Sequence, residues 1–393
     1  MSKSNGKLSI LHIFLAIRET SAPYNEHCLP WAATRDISIC TFFNSDITPP
    51  EKITLFEGNG SVRGFLRALR TALAAKEYDI IHTHSPHVGL LLLVATLLSH
   101  HKFAPSTVAT VHDSYQNFKL RNQLMFIPVF ATFQRVVCCG RASFESFPAL
   151  YKRLAGDRLG HVPNGLDIAR VDRIAANARR RDRRADEFTV IAISRLVHIK
   201  NPFLAIAAFT RIADRDSRLI YIGDGHLRNS LVEKSRDSGD SRIEFTGLIP
   251  RETVFEHLLN ADLFITTSRG EGLPVSVLEA MACGCPVVLS DIPPHREIAE
   301  GVDFIPLIKT DDAEGFAREI RRFREMSRDE RAAIGRRCRA LVEERFSLPA
   351  MHAGYARVYA QITGGPVANT QVADLQDHPT PAGESQLDTK GVR

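Results

Sequence analysis

The sequence predicts an α/β protein built from two parallel-sheet domains, and three observations carry that expectation. Short apolar runs alternate with longer amphipathic stretches along most of the chain. The alternation breaks off near residues 167–186 and then restarts. At 393 residues the chain is too long for one ordinary domain and suits two of about 150–200 residues each.

The elements follow in order. The polar start of the chain shows no leader peptide, and residues 8–15 read as a first strand. Residues 37–43 read as a strand and 62–76, with apolar residues at helical spacing, as a helix. Residues 79–84 and 107–113 read as strands that end in polar groups, His82-Thr83-His84 and His112-Asp113, with a helix at 86–99 between them. The longest apolar run, 88–98, is shorter than the roughly 20 residues a membrane span needs, so it reads as buried helix. In the second half, strands are expected at 188–194, 218–223, 243–245, 263–266 and 286–289, with helices at 202–213, 226–235 and 252–259. The domains are expected at 1–168 and 169–347, a last helix within 348–364 and a disordered tail at 365–393, where large apolar residues become scarce.

Composition bounds the partners. The net charge of +5 is compatible with phosphate-bearing substrates or an anionic membrane and proves neither. An arginine-rich run at 179–184 has no interleaved aromatic residues, so it reads as solvated linker, and no nucleic acid is expected. Seven cysteines without zinc-site spacing point to buried thiols in a reducing, cytoplasmic setting. Residues 118–135 mix Lys119, Arg121 and Arg135 with Phe126, Ile127, Val129, Phe130 and Phe133; such a stretch suits peripheral contact with the inner face of a membrane, or core packing.

Chemistry concentrates where strands end, because open α/β sheets bind ligands at their carboxyl edges. The densest signal is Gly270-Glu271-Gly272-Leu273-Pro274-Val275-Ser276-Val277-Leu278-Glu279-Ala280-Met281-Ala282. Pro274 suits the first turn of a helix, and the glycines before it let a ligand approach the backbone. The free N–H groups and dipole of that helix start suit a diphosphate. Glu279, among apolar neighbours, would be buried and need a partner, such as the vicinal hydroxyls of a ribose. His82, His84 and His87 invite a metal reading, but no acidic partner follows and no metal is expected. Gly223-Asp224-Gly225 resembles a dinucleotide fingerprint, but Arg228 stands where its third glycine belongs.

These residues resemble glycosyltransferase family 4, whose hallmark is two glutamates separated by seven residues, here Glu271 and Glu279. The resemblance extends through Val162-Pro163-Asn164-Gly165-Leu166-Asp167, Ser194-Arg195-Leu196-Val197-His198-Ile199-Lys200-Asn201-Pro202 and Phe245-Thr246-Gly247-Leu248-Ile249-Pro250. It covers roughly residues 79–362. It implies the GT-B fold: two Rossmann-like domains facing across a cleft, with the C-terminal helix crossing back to the N-terminal domain. It implies retaining transfer from a UDP- or GDP-linked sugar, with no cofactor and no required metal, to a glycan or lipid-linked acceptor in cell-surface polysaccharide or glycolipid synthesis.

By the same resemblance Arg195 and Lys200 would hold the diphosphate and stabilise the charge left by the breaking bond. Glu271, with the backbone of Gly272 and Leu273, would bind hydroxyls of the donor sugar. Glu279 would bind the ribose, the backbone near Leu248 the base, and His112 the donor sugar or reaction centre. Asn164 would border the donor, and Ser21 and His84 the acceptor. One feature departs from the pattern: family members carry a Gly-Gly loop after the first strand, whereas residues 16–26 contain no glycine. Two other readings stay open, a nucleotide-sugar epimerase of the same fold and a non-catalytic sugar-nucleotide binder.

Overall fold

The computed structural model describes residues 7–19, 21–99, 106–177, 187–237 and 239–365. The arginine-rich run at 179–184 and all but the first residue of the expected tail lie outside the described residues.

Two separate parallel sheets form. The first has seven strands: β1 (Ser9–Phe14), β2 (Asp36–Thr41), β3 (Ile53–Glu57), β4 (Ile80–Thr83), β5 (Thr107–Val111), β6 (Arg135–Cys138) and β7 (Leu159–His161), in the order β3-β2-β1-β4-β5-β6-β7. The second has six: β8 (Phe188–Ile193), β9 (Ser217–Ile222), β10 (Ile243–Gly247), β11 (Leu263–Thr266), β12 (Val287–Ser290) and β13 (Leu307–Ile308), in the order β10-β9-β8-β11-β12-β13. Parallel strands need crossover connections, and helices such as Val62–Ala75, Pro86–Ser99, Pro202–Phe209 and Arg251–Leu259 supply them.

Each sheet is buried on both faces, as parallel sheets require. Leu11, Ile13, Ile81 and Val136 point into one core, while Ile10, Phe14, Ile80 and Val108 point into another. Around the second sheet, Ile191, Ile220 and Phe264 face one core and Val190, Tyr221 and Ile265 the opposite one. The last helix, Leu348–Thr363, closes the first sheet rather than the second. Its Leu348, Met351, Tyr355 and Tyr359 are buried with Ile10, Trp31 and Ile37. The preceding helix, Arg328–Arg345, opens with a full capping box between Ser327 and Glu330 and packs against Val275–Ala282.

Sequence patterning leaves out β3, β6, β7, β13 and several helices, among them Ala313–Glu325, Arg328–Arg345 and Leu120–Thr132. In the last of these and at its end, Phe126, Val129, Phe130 and Phe133 are core residues, so the apolar part of residues 118–135 packs inward. Only Lys119, Leu120, Arg121 and Leu124 of its first turns are exposed.

Candidate active site

In both sheets the strand order reverses next to the first strand, between β1 and β4 in one and between β8 and β11 in the other. Side chains at the carboxyl ends of these strands are splayed by the diverging connections, which opens a crevice.

On the second sheet, β8 ends in Ser194-Arg195 and runs to a single helical turn, His198–Lys200. Asn201 then adopts a left-handed conformation (φ 51°), bonds Thr310 O through Nδ2 at 2.9 Å, and starts the helix Pro202–Phe209. This turn aims Lys200 at the loop after β11, where its ammonium pairs with the Glu271 carboxylate. The other Glu271 oxygen accepts from Ser268 Oγ at 2.7 Å. Both partners of the ion pair are only 13 % exposed, so each needs the other unless a ligand replaces it. Arg195 is exposed, and its side chain has no partner among the described residues.

The facing rim closes on the same loop. Ser114 Oγ donates to Glu271 O at 2.7 Å, Asn117 Nδ2 to the same oxygen at 3.3 Å, and Asn164 Nδ2 to Leu273 O at 2.9 Å. Gly272 is required here: a Cβ would come within 2.5 Å of His112 O and 2.8 Å of Cys139 Sγ. The contact therefore places the loop of Glu271 directly against the end of β5. Burial pushes the Asp113 carboxyl up, against hydrogen bonds from Asn117 and the Ser114 N–H. His112 is held neutral, its pKa lowered to about 4 by burial.

The helix after this loop runs Val275–Ala282, with Pro274 as its N-cap rather than in its first turn. Its opening N–H groups lack helical acceptors, as at any helix start. Glu279 is buried, as expected, but its partner in this structure is Arg251, whose Nη2 lies 2.9 Å from Glu279 Oε1 and 3.2 Å from Glu26 Oε1. Burial raises the Glu26 carboxyl to about 7 despite Arg251. Burial pulls the Arg251 pKa down, but Glu279 and Glu26 outweigh it and hold it up.

Sequence reasoning missed Arg251 and Glu26. Arg251 directly follows the Phe245–Pro250 motif, and Glu26 ends the glycine-free segment. The end of that segment enters the short helical turn Tyr24–Cys28, and a second turn, Pro30–Ala33, follows. It is tied down by His352 Nε2, 2.6 Å from Glu26 O. Ser21 Oγ accepts from the Arg18 N–H at 2.9 Å within this segment. Leu248, just past β10, is 78 % exposed, an unburied leucine at the rim.

Under the first rim lies a group of buried histidines. His12 and His82 are register partners on β1 and β4 and share one face of the sheet. His82 bonds Tyr359 Oη through Nδ1 at 2.7 Å and Thr110 Oγ1 through Nε2 at 2.6 Å. His84 is buried with both ring nitrogens engaged, Nε2 to His12 Nδ1 at 2.9 Å and Nδ1 to His112 Nε2 at 3.2 Å. It therefore lies beneath His112 with both ring nitrogens taken up by histidine partners. His12, His82 and His84 could bring three nitrogens within 4.8 Å of one another. His87 does not join them; its environment is Arg121 and Asn122.

The chain does contain one Asp-x-Asp triplet of the metal–diphosphate kind, Asp214-Arg215-Asp216, which the expectation of a metal-free site overlooks. It precedes β9, at the amino end of that strand, and Asp214 is engaged by Ser217 and by Arg324 at 2.6 Å. The cleft is at the opposite end of the strands.

Comparison with known proteins gives two profile matches, one described as Glycosyltransferase Family 4 over residues 33–170 and one as Glycosyl transferases group 1 over residues 187–325. A UDP-Gal:alpha-D-GlcNAc-diphosphoundecaprenol alpha-1,3-galactosyltransferase of Escherichia coli is 26 % identical over 243 residues, 58 % of this chain. The chain spans 61 % of that relative's length. A phosphatidyl-myo-inositol mannosyltransferase of Mycolicibacterium smegmatis is 25 % identical over 326 residues, 81 % of this chain and 80 % of the relative. Among solved structures, Anabaena Alr3699/HepE in complex with UDP and glucose aligns with a TM-score of 0.69 at 17 % identity, covering 90 % of this chain and 100 % of that one. A glycosyltransferase from Rickettsia africae aligns at 0.73 and 15 % identity, covering 92 % and 100 %. The shared architecture is the GT-B fold.

Proposed function

The chain belongs to glycosyltransferase family 4, and from that premise we propose that it moves a sugar from a UDP- or GDP-linked donor to a lipid-linked or glycan acceptor, with retention at the anomeric carbon. The observation that carries this reading is the half-buried Lys200–Glu271 pair at the switch point of the second sheet, set against the loop of His112. A cation and a carboxylate held there are poised to separate onto a ligand with an anionic and a hydroxylic end. Lys200 and Arg195 take the diphosphate, and Glu271 with the Gly272 and Leu273 backbone takes sugar hydroxyls.

Glu279 holds the ribose while keeping Arg251 as its second partner. The rim at Leu248 meets the base, and Asn164 fixes the Leu273 carbonyl beside the sugar. His112 faces the donor sugar, and the segment of Ser21 borders the acceptor. The bond from the anomeric carbon to the diphosphate oxygen breaks, the acceptor oxygen bonds that carbon on the same face, and the departing phosphate oxygen takes the acceptor proton. No metal is required, since the one Asp-x-Asp triplet lies at the far edge of the sheet.

The acceptors named for the two relatives, a diphosphoundecaprenol-linked sugar and a phosphatidyl-myo-inositol, support a lipid-linked acceptor here and assembly of a surface polysaccharide or glycolipid. Among the described residues no helix is long and apolar enough to cross a membrane. In this reading contact with the membrane is peripheral, and the exposed Lys119, Leu120, Arg121 and Leu124 supply a basic and apolar surface for it.

The test is incubation with a panel of UDP- and GDP-sugars, with and without a lipid-linked acceptor, in EDTA. Acceptor-dependent release of nucleoside diphosphate, with the product's anomeric proton showing retention, is expected. An isomerised donor without acceptor, an inverted linkage, or turnover only with added magnesium or manganese would contradict the corresponding part of the reading.

A further inference from the structure

His12, His84 and His112 form an unbroken line of imidazoles. The contacts are His12 Nδ1 to His84 Nε2 at 2.9 Å and His84 Nδ1 to His112 Nε2 at 3.2 Å. His12 is fully buried, His84 is 8 % exposed, and only His112 reaches the rim. Burial lowers all three pKa values, so all three rings are neutral at physiological pH. A neutral imidazole has one N–H and one lone pair.

Each contact needs one proton, so the line has only two self-consistent states, running outward or inward. They differ at the two ends. The inner end, His12 Nε2, is sealed from solvent with no hydrogen-bond partner. Running inward would leave an N–H stranded there; running outward leaves a lone pair. Orphaned buried N–H groups are the rarer of the two defects in folded proteins. At the outer end, His112 Nδ1 has no partner among the described residues. The phosphate and ring oxygens of a donor sugar diphosphate only accept hydrogen bonds, and a lone pair at this end would repel them.

We propose that His84 and His12 are positioning residues that set the tautomer of His112: protons run outward along the line, so that His112 turns an Nδ1–H donor, not a basic lone pair, toward the cleft. His112 then donates to an oxygen of the donor and does not act as the general base. The last clause rests on the function proposed above; the tautomer itself does not, and it is measured without substrate.

The experiment is long-range nitrogen–proton NMR on the full chain with nitrogen-15-labelled histidine, assigned with single variants. In the wild type, His112 is expected to carry its proton on Nδ1 with Nε2 bare. His84→Leu removes the donor to Nε2, and His112 should shift toward the Nε2–H form. His84→Asn keeps an amide N–H near the position of the ring Nδ1, so it should restore the Nδ1–H form and most of the activity. Loss of turnover in His84→Leu is expected to be roughly 10- to 100-fold, as for other residues that orient a functional histidine. A wild-type His112 protonated on Nε2 would overturn the proposal, and that measurement decides even if His84→Leu fails to fold. Two further results would overturn it: a His112 tautomer unchanged in a folded His84→Leu, or zinc added to the apo-protein shifting the His12, His82 and His84 nitrogens as ligands. If the tautomer is as stated but no donor is turned over, the proposed function fails and the inference stands.

Discussion

The second-sheet rim of the cleft carries Arg195, Lys200, Glu271, Glu279 and Arg251, whereas the rim facing it carries His12, His82, His84 and His112 with Thr110, Tyr355 and Tyr359. On the charged rim the half-buried Lys200 has Glu271 as its counter-ion, and the buried Arg251 has Glu279. On the facing rim burial works against charge throughout. It lowers the histidines, and it raises the two carboxyls that reach the cleft from this half, Glu26 and Asp113. The difference teaches how the two halves divide the work. A dianionic leaving group needs fixed cations on one side. A sugar and an acceptor hydroxyl need directional hydrogen bonds, which neutral groups supply without the desolvation cost of ions.

The strongest way to break this comparison is to remove the scaffold of the neutral rim alone. Tyr359 bonds His82 and Tyr355 bonds Thr110, both from the last helix. Truncation after Ser347 removes these bonds and strips four large buried side chains from the first sheet, each costing about 2–5 kcal/mol. The N-terminal half should lose its cooperative melt. An unchanged melting temperature would mean the helix does not hold this rim.

Substitution on the charged rim should act on turnover instead. Glu271→Ala is expected to lower kcat by about 10²–10³-fold while the protein stays folded. Ser268→Ala, which removes one hydrogen bond to the same carboxylate, should cost far less. If both variants retain wild-type turnover, the Lys200–Glu271 pair is only structural.

The smallest effect is on pH dependence. Burial holds His12 down to about 3 and His112 and His352 down to about 4, from an ordinary 6.5. Each binds its proton more weakly folded than unfolded, so the stability it contributes is complete above pH 6.5 and is lost as the pH falls toward 4. Glu26, raised from 4.5 to about 7, has the opposite sign: its contribution is complete below 4.5 and is lost as the pH rises through 7. The histidines outnumber it, and the melting temperature should fall steadily from pH 6.5 to 4. Glu26→Gln should leave that fall in place and remove only the opposing slope. A flat profile would contradict the buried, neutral state of the histidines.

The charged rim was legible in the sequence because its function is written in consecutive residues. Gly270 to Ala282 combines loop, helix start and both glutamates, and β11 was bounded residue for residue. On the neutral rim the strand-end histidines were legible, but their joining was not. His12, His84 and His112 are far apart in the chain and meet only through strand order, and a histidine on a strand carries no local sign of its partners. The pairing of Glu26 with Arg251 spans 225 positions and was invisible for the same reason. β7 is three residues long, too short for periodicity to register. The aromatic stretch after Phe118 fits a membrane face and a core helix equally well by pattern, and only packing against the first sheet shows that its aromatic side is core.

The central claim is that the charged rim is the donor diphosphate site, and calorimetric binding of UDP and GDP to the wild type and to Lys200→Ala tests it most directly. One of the two nucleotides should bind the wild type without added metal. Lys200→Ala should weaken it by about 10- to 100-fold, the worth of one hydrogen bond from a charged group. His84→Asn should bind it as the wild type does. Equal affinity of Lys200→Ala and wild type, or binding of neither nucleotide, would contradict the account.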